Sequence, residues 1–188
     1  MKNYTKQITD YIGLVTNVLN KLDRNAINDV MNVLEGARER EAIIYICGNG
    51  GSAATASHFV CDFNKGVSQK KDKKYRFVCL NDNVPSVMAI ANDHGYEQVF
   101  LMQIEEKIKP EDILFCISGS GNSKNVILAA QYAKSKGAKI IGATGYSGGE
   151  LYKLSDYRLH VPIDNMQIAE DVHMIFDHLM MWILAYDE

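Results

Sequence analysis

The hydrophobic positions change their spacing once along the chain, close to residue 40. Before that point, apolar residues recur every three or four positions, as they do on one face of a helix. They form two sets: Ile8, Tyr11, Ile12, Val15, Leu19 and Leu22, then Ile27, Val30, Met31 and Leu34. The spacing predicts two amphipathic helices, and Asn25 is the residue that we expect to cap the second.

Beyond residue 40, short apolar runs alternate with helical segments. The runs are apolar at successive rather than alternate positions, which is typical of strands buried on both faces. They cover residues 42–47, 76–80, 112–118, 139–144 and 157–161. Such strands with helices between them predict a parallel α/β sandwich, preceded by the helical pair and closed by a long helix from about Asn165. No linker or repeat interrupts residues 1–188, which predicts a single domain.

Composition and charge narrow the class of protein. The chain is 47% hydrophobic and 23% charged, as ordinary globular proteins are, and its net charge of −3 gives no pull towards nucleic acid or anionic membranes. The four cysteines mostly lie in apolar runs without a C-x-x-C pair, which predicts reduced core thiols. With no apolar signal segment and no run long enough to span a bilayer, we expect a cytoplasmic protein without membrane or nucleic-acid partners. The lysine-rich stretch 69–76 is predicted to be a solvated loop.

Two glycine-rich loops follow predicted strands, at the edge where parallel sheets bind their ligands. They consist of Gly48, Asn49, Gly50, Gly51 and Ser52, and of Ser118, Gly119, Ser120, Gly121, Asn122 and Ser123. Glycine lets the backbone approach a ligand closely, and Ser52 is placed to cap the next helix. Hydroxyls and free amide groups at a helix N-terminus can bind a phosphate monoester. Neither loop matches a dinucleotide or nucleoside triphosphate motif, so we expect a small phosphorylated metabolite; the alternative is two ordinary strand-to-helix turns.

Histidines and carboxylates cluster on two predicted helices. His58 and Asp62 are one turn apart on the helix predicted to begin at Ser52, so they share a face. The final helix carries a denser group, which consists of Glu170, Asp171, His173, Asp177 and His178. Such clusters on helices that open from ligand-binding loops are candidates for catalysis or metal binding. Helix geometry favours Glu170 with His173 as joint ligands, because Glu170 and His178 lie roughly 12 Å apart along the helix axis.

Four motifs together resemble the sugar isomerase (SIS) family: ICGNGGSAATASHF, ANDHGYE, ISGSGNSKNV and AEDVHMIFDH. The resemblance covers nearly the whole chain in order and is strongest to the isomerases of sedoheptulose 7-phosphate. It implies a flavodoxin-like parallel sheet, a homotetramer with active sites at subunit interfaces, and an aldose–ketose isomerase acting on a phosphorylated sugar. Other members of the family keep the fold and the loops but act as regulators, including a replication-initiator-binding protein, or as sensor domains. A non-catalytic phosphosugar-binding regulator is therefore the alternative.

The resemblance also implies roles for individual residues. It implies one zinc ion per subunit, held by His58, Asp62, Glu170 and His178. It implies proton transfer by Asp62 and His178, with Asn92 and Asp93 in a loop that binds sugar hydroxyls, and it implies that Asp62 and Glu170 also contact the substrate. Three positions depart from the family pattern, where Asp62 replaces glutamate, Glu170 replaces glutamine and Gly119 replaces threonine. Carboxylate oxygens remain suitable zinc ligands, although Asp62 is shorter by one methylene. The family pattern makes His178 the ligand, whereas helix geometry alone would choose His173, and we follow the family pattern.

Overall fold

A computed structural model describes residues 1–186 and contains one five-stranded parallel sheet. The strands are β1 (Ile44–Gly48), β2 (Phe77–Cys79), β3 (Ile113–Ser118), β4 (Lys139–Thr144) and β5 (Tyr157–His160). The helices are α1 (Thr5–Asn20), α2 (Arg24–Glu39), α3 (Gly51–Cys61), α4 (Val84–His94), α5 (Leu101–Ile104), α6 (Lys124–Ser135), α7 (Gly149–Leu154) and α8 (Met166–Tyr186). All the strands that the apolar runs predict are present, with ends that lie within two residues of the predicted ones.

The strand order is β2-β1-β3-β4-β5 with every pair parallel, which is the flavodoxin-like order. The predicted fold class is therefore confirmed. The chain passes from β1 to the edge strand β2 and returns to β3 on the other side of β1, so the direction of winding reverses between β1 and β3. The loops that follow these two strands diverge there and leave a crevice, which is where open α/β sheets bind ligands.

Two hydrophobic layers enclose the sheet. Helices α1, α2, α3 and α8 cover one face, and α4, α5, α6 and α7 cover the other. Strand β1 serves both layers, since Ile44 and Ile46 face the first and Tyr45 and Cys47 the second. All five residues of β1 are buried, which explains why the run is apolar at successive positions.

Two predicted details are wrong. The cap of α2 is Asp23, whose Oδ1 accepts hydrogen bonds from the backbone N–H groups of Asn25 and Ala26 at 2.9 and 3.1 Å, so Asn25 lies inside the helix. Among the four cysteines, Cys61 is exposed, because it lies on the outer side of α3. Within residues 1–186, no helix combines the length and the apolar character needed to cross a membrane.

A π-helical turn (Asp62–Gly66) follows α3 directly and leads to the edge of the sheet. Phe63 points into the core, and the Asn64 side chain meets Phe77 of β2. Its Nδ2 donates to the Phe77 carbonyl and its Oδ1 accepts from the Phe77 N–H, both at 2.9 Å. The amide therefore fixes the π-helical turn to the outer side of β2.

Candidate active site

The loop after β1 is held in place by a polar network. Gly50 adopts φ 55°, a left-handed conformation that favours glycine, and the chain enters α3 at Gly51. The Asn49 amide exchanges two hydrogen bonds of 2.9 Å with Asn125, and its Oδ1 also accepts from the Tyr96 hydroxyl at 2.8 Å. The Asn49–Asn125 pair therefore ties the loop after β1 to the first turn of α6, the helix that follows the second glycine-rich loop.

Ser52 does not cap α3 as we predicted. The N-cap residue is Gly50, which has no side chain to cap with, and Ser52 lies in the first turn of the helix and is buried. Its N–H donates to the Asn49 carbonyl at 3.0 Å. Ser52 therefore belongs to the wall of the crevice.

The loop after β3 presents hydroxyls around the N-terminus of α6. Ser118 Oγ and Ser123 Oγ lie 3.1 Å apart, and Ser120 Oγ accepts from the Asn122 N–H at 3.2 Å. Ser123 is the N-cap residue of α6, yet its hydroxyl makes no capping bond. These hydroxyls and the first amide groups of α6 together have the chemistry of a phosphate cradle.

Gly119, in this loop, packs against the beginning of α8. A Cβ atom at this position would overlap the Met166 side chain. The threonine that the family resemblance leads one to expect would therefore displace Met166, and only the backbone of Gly119 is available to a ligand.

Helix α8 runs past both loops and then meets the end of α3. Gly119 contacts Met166, Gly51 contacts Glu170, and His58 contacts His178. The last two contacts show that α3 and α8 run side by side in the same direction. A ligand whose one end lies in the serine loop can thus extend along α8 towards the histidines.

The histidine pair forms the centre of a cluster. His58 Nε2 lies 3.1 Å from His178 Nε2 and 3.5 Å from Asp62 Oδ2. His58, Asp62, Asp177 and His178 each offer one ligand atom, and all four of these atoms lie within 4.8 Å of one another. Asp62 is the first residue of the π-helical turn, and its N–H still bonds to the His58 carbonyl, so the predicted one-turn spacing holds although α3 ends at Cys61.

Asp177 is a member of this cluster that the sequence grouped with the candidates on the final helix, without a specific role as ligand or catalyst. Its side chain has 0% exposure, and neither carboxylate oxygen has a hydrogen-bond partner within residues 1–186. Burial, with a smaller contribution from the Asp62 charge, raises the pKa of Asp177 to about 8. A signal was present in the sequence, because Asp177 falls on the same buried face of α8 as Met180 and Leu184, three and seven residues further on.

His173 takes no part in the cluster. It is 1% exposed, its ring stacks on Phe176, and neither ring nitrogen has a hydrogen-bond partner in the described part of the chain. Burial lowers the pKa of His173 to about 4, so the ring is neutral at physiological pH. The structure brings His178, and not His173, next to His58.

Three further predicted residues lie apart from the four clustered side chains. Glu170 is beside the first turn of α3, where a Cβ built on Gly51 would lie 2.5 Å from Glu170 Oε2. Asn92 and Asp93 lie in the last turn of α4 rather than in the predicted loop, and both are exposed. They bond to each other, Asn92 Nδ2 donating to Asp93 Oδ1 at 2.8 Å.

Comparison with known proteins places these features in a family. A family model described as SIS domain matches residues 4–145. The phosphoheptose isomerase of Helicobacter pylori (strain P12) is 40% identical over 142 residues, which cover 76% of this chain and 73% of the relative. The solved phosphoheptose isomerase of Neisseria gonorrhoeae superposes with a TM-score of 0.87 at 26% identity, over 97% of this chain and 98% of that one. The solved phosphoheptose isomerase of Francisella tularensis superposes with a TM-score of 0.88 at 26% identity, over 98% of this chain and 99% of that one.

Proposed function

The chain belongs to the SIS domain family, and from that premise we propose that it is a phosphoheptose isomerase. The reaction is the interconversion of sedoheptulose 7-phosphate and an aldoheptose 7-phosphate, a step suited to heptose synthesis for surface glycans. One observation carries the proposal: the phosphate cradle and the His58–His178 pair lie along the same helix, α8. A sugar phosphate has its phosphate at one end and its carbonyl at the other, which fits this arrangement.

The cradle would bind the phosphate through hydroxyls and backbone amide groups. We assign this role to Ser118, Ser120 and Ser123 of the second loop, supported by the hydroxyl of the N-cap residue Ser123, which makes no capping bond and lies beside that of Ser118. Ser52 and the backbone of the first loop would close the crevice from the other side. Asn92 and Asp93 remain our candidates for the sugar hydroxyls, together with Glu170.

An aldose–ketose isomerase moves a proton between C1 and C2 and a second proton between the two oxygens, through an enediol. Asp62 is the proposed base for the carbon-bound proton, since its side chain is 14% exposed and lies beside His58. His178 is exposed and its ring can exchange a proton with the substrate oxygens. The two groups thus divide the carbon and the oxygen proton transfers between them.

The donor atoms around His58 fit a zinc ion. Ligand atoms at about 2.1 Å from zinc in a tetrahedron lie roughly 3.4 Å from one another. The distances from His58 Nε2 to His178 Nε2 and to Asp62 Oδ2, 3.1 and 3.5 Å, are close to that value. When bound, zinc would supply positive charge against the negative charge that develops on the substrate oxygen.

We also propose that the enzyme is a homotetramer with sites at subunit interfaces. Its helical layer leaves large apolar side chains exposed, among them Ile8 and Ile12 of α1, at 57% and 60%, and Trp182 of α8 at 70%. Symmetric association would bury them. The free, buried thiols of Cys47, Cys79 and Cys116 support a cytoplasmic location. We take residues 1–188 as a single domain, which the near-complete superposition on whole relatives supports.

The direct test is turnover of sedoheptulose 7-phosphate by the zinc-loaded protein in a coupled assay. We expect the wild-type protein to isomerise the substrate. The Asp62→Asn variant should lose this activity but still bind the sugar phosphate. Tight binding of the sugar phosphate without turnover by the wild-type protein would instead indicate a regulator.

A further inference from the structure

The Asp177 carboxylate lacks any partner that would offset its burial. It has 0% exposure, and no hydrogen-bond donor reaches either oxygen within residues 1–186. The nearest charged group is another carboxylate, that of Asp62. Buried carboxylates in proteins are paired with a cation, hydrogen-bonded, or bound to a metal. A buried carboxyl group without a partner can also stay neutral by keeping its proton. The position of Asp177 is nevertheless that of a metal ligand, because its oxygen and the ligand atoms of two imidazoles and a second carboxylate all lie within 4.8 Å of one another.

Glu170 lies at a different level of α8. Its carboxylate contacts Gly51, the first residue of α3, whereas His178 contacts His58 in the last turn of that helix. Seven residues of α-helix separate Gly51 from His58, which is roughly 10 Å along the axis. Glu170 is therefore beside the N-terminus of α3, where the helix dipole favours a carboxylate, and not beside the histidine pair.

The charge balance of the site also favours Asp177 over Glu170 as the fourth ligand. Two neutral imidazoles and two carboxylates balance a divalent cation, and His58 and His178 with Asp62 and Asp177 make up such a set. Adding the Glu170 carboxylate would leave the site with a net negative charge.

We propose that Asp177 is the fourth zinc ligand in this chain, with His58, Asp62 and His178, and that Glu170 is not a ligand. The inference rests on the proposed zinc site of the isomerase and assigns its ligands. It leaves Glu170, at the mouth of the crevice between Gly51 and the substrate path, to contact the sugar.

The test compares two substitutions that each replace a carboxylate by an amide of the same shape, Asp177→Asn and Glu170→Gln. Zinc affinity is measured on the full-length chain by competition with a chelating dye, and the absorption spectrum of the cobalt-substituted protein reports on the ligand set. We expect Asp177→Asn to lose zinc affinity by about a hundredfold or more and to change the cobalt spectrum. A residue that only hydrogen-bonds to a metal ligand typically contributes less than that to zinc affinity. Glu170→Gln should leave both unchanged.

The folding of Asp177→Asn is checked without metal. Because the substitution removes a buried, unpartnered carboxylate, the Tm of the metal-free variant should equal or exceed that of metal-free wild type, while the rise in Tm on adding zinc should shrink. Loss of zinc from Glu170→Gln, unchanged zinc affinity in Asp177→Asn, or a wild-type protein that binds no zinc would each overturn the inference. Wild-type turnover of sedoheptulose 7-phosphate is measured separately, so a failure of the proposed reaction is distinguished from a failure of the ligand assignment.

Discussion

Protonation of His173 should lower the free energy of unfolding in mild acid. Burial lowers the pKa of this ring from 6.5 to about 4 in the folded chain. The unfolded chain restores the ordinary pKa, so as the pH falls the unfolded state binds the proton first. The stability that the neutral ring contributes is therefore complete above pH 6.5 and is lost as the pH falls through about 4.

The two pKa values set the size of this effect. A pKa difference of one corresponds to about 1.4 kcal/mol. Between pH 7.5 and pH 5, the wild-type chain should lose about 2 kcal/mol of unfolding free energy through His173 alone. On its own, that contribution is a fall in Tm of about 4–8 °C in a chain of this length. Asp177, whose pKa burial raises to about 8, acts in the opposite direction, because its protonation stabilises the folded chain as the pH falls. The contribution of His173 is therefore measured as a difference between variants.

The assay is urea unfolding at both pH values with a chelator present, so that zinc loss does not contribute. His173→Leu has a side chain of similar volume that does not titrate, and it should lose about 2 kcal/mol less than wild type over this range. His94→Gln, which alters an exposed histidine at the end of α4, is the matched control and should behave as wild type. Protein concentration is held fixed, because the stability of an oligomer depends on it. Equal losses in wild type and His173→Leu would refute the reasoning.

Three other outcomes are expected. Ser120→Ala should raise the KM for the sugar phosphate about fivefold, the equivalent of one hydrogen bond of about 1 kcal/mol, with kcat little changed; unaltered steady-state kinetics in a variant that also carries Ser118→Ala would place the phosphate elsewhere. His178→Ala should lose zinc and turnover, whereas His173→Ala should keep its zinc by elemental analysis, and the reverse pattern would favour the ligand set chosen from helix geometry. Light scattering should give a tetrameric mass, and Ile12→Asp should reduce it; a wild-type monomer at micromolar concentration would contradict the proposed assembly.

The fold followed from the sequence because burial on both faces leaves a strong pattern. Strand β3 lies between β1 and β4, every one of its residues is buried, and the sequence is apolar without interruption from Ile113 to Ile117. Helix boundaries were harder to predict from the sequence. Asp23 and Asn25 are both suitable N-cap residues, and only the course of the chain before α2 decides between them.

The candidate site was only partly predictable. The one-turn spacing of His58 and Asp62 is visible in the sequence, but their approach to His178 depends on how α3 and α8 pack. The π-helical turn after α3 has no sequence signature of its own. Asp177 could have been singled out as a carboxylate on an apolar stripe, yet which atoms it faces depends on tertiary structure.

The two hydrogen bonds between Asn64 and Phe77 protect part of the sheet edge from pairing with other molecules. In the parallel ladder with β1, the N–H and C=O of Phe77 point outward from the free edge of β2, where a strand of another molecule could add. The Asn64 side chain already occupies both groups, as a neighbouring backbone would. At Phe77, that edge of the sheet is therefore closed to intermolecular strand addition. A substitution such as Asn64→Leu would reopen the edge and make the partly folded chain prone to form β-linked aggregates.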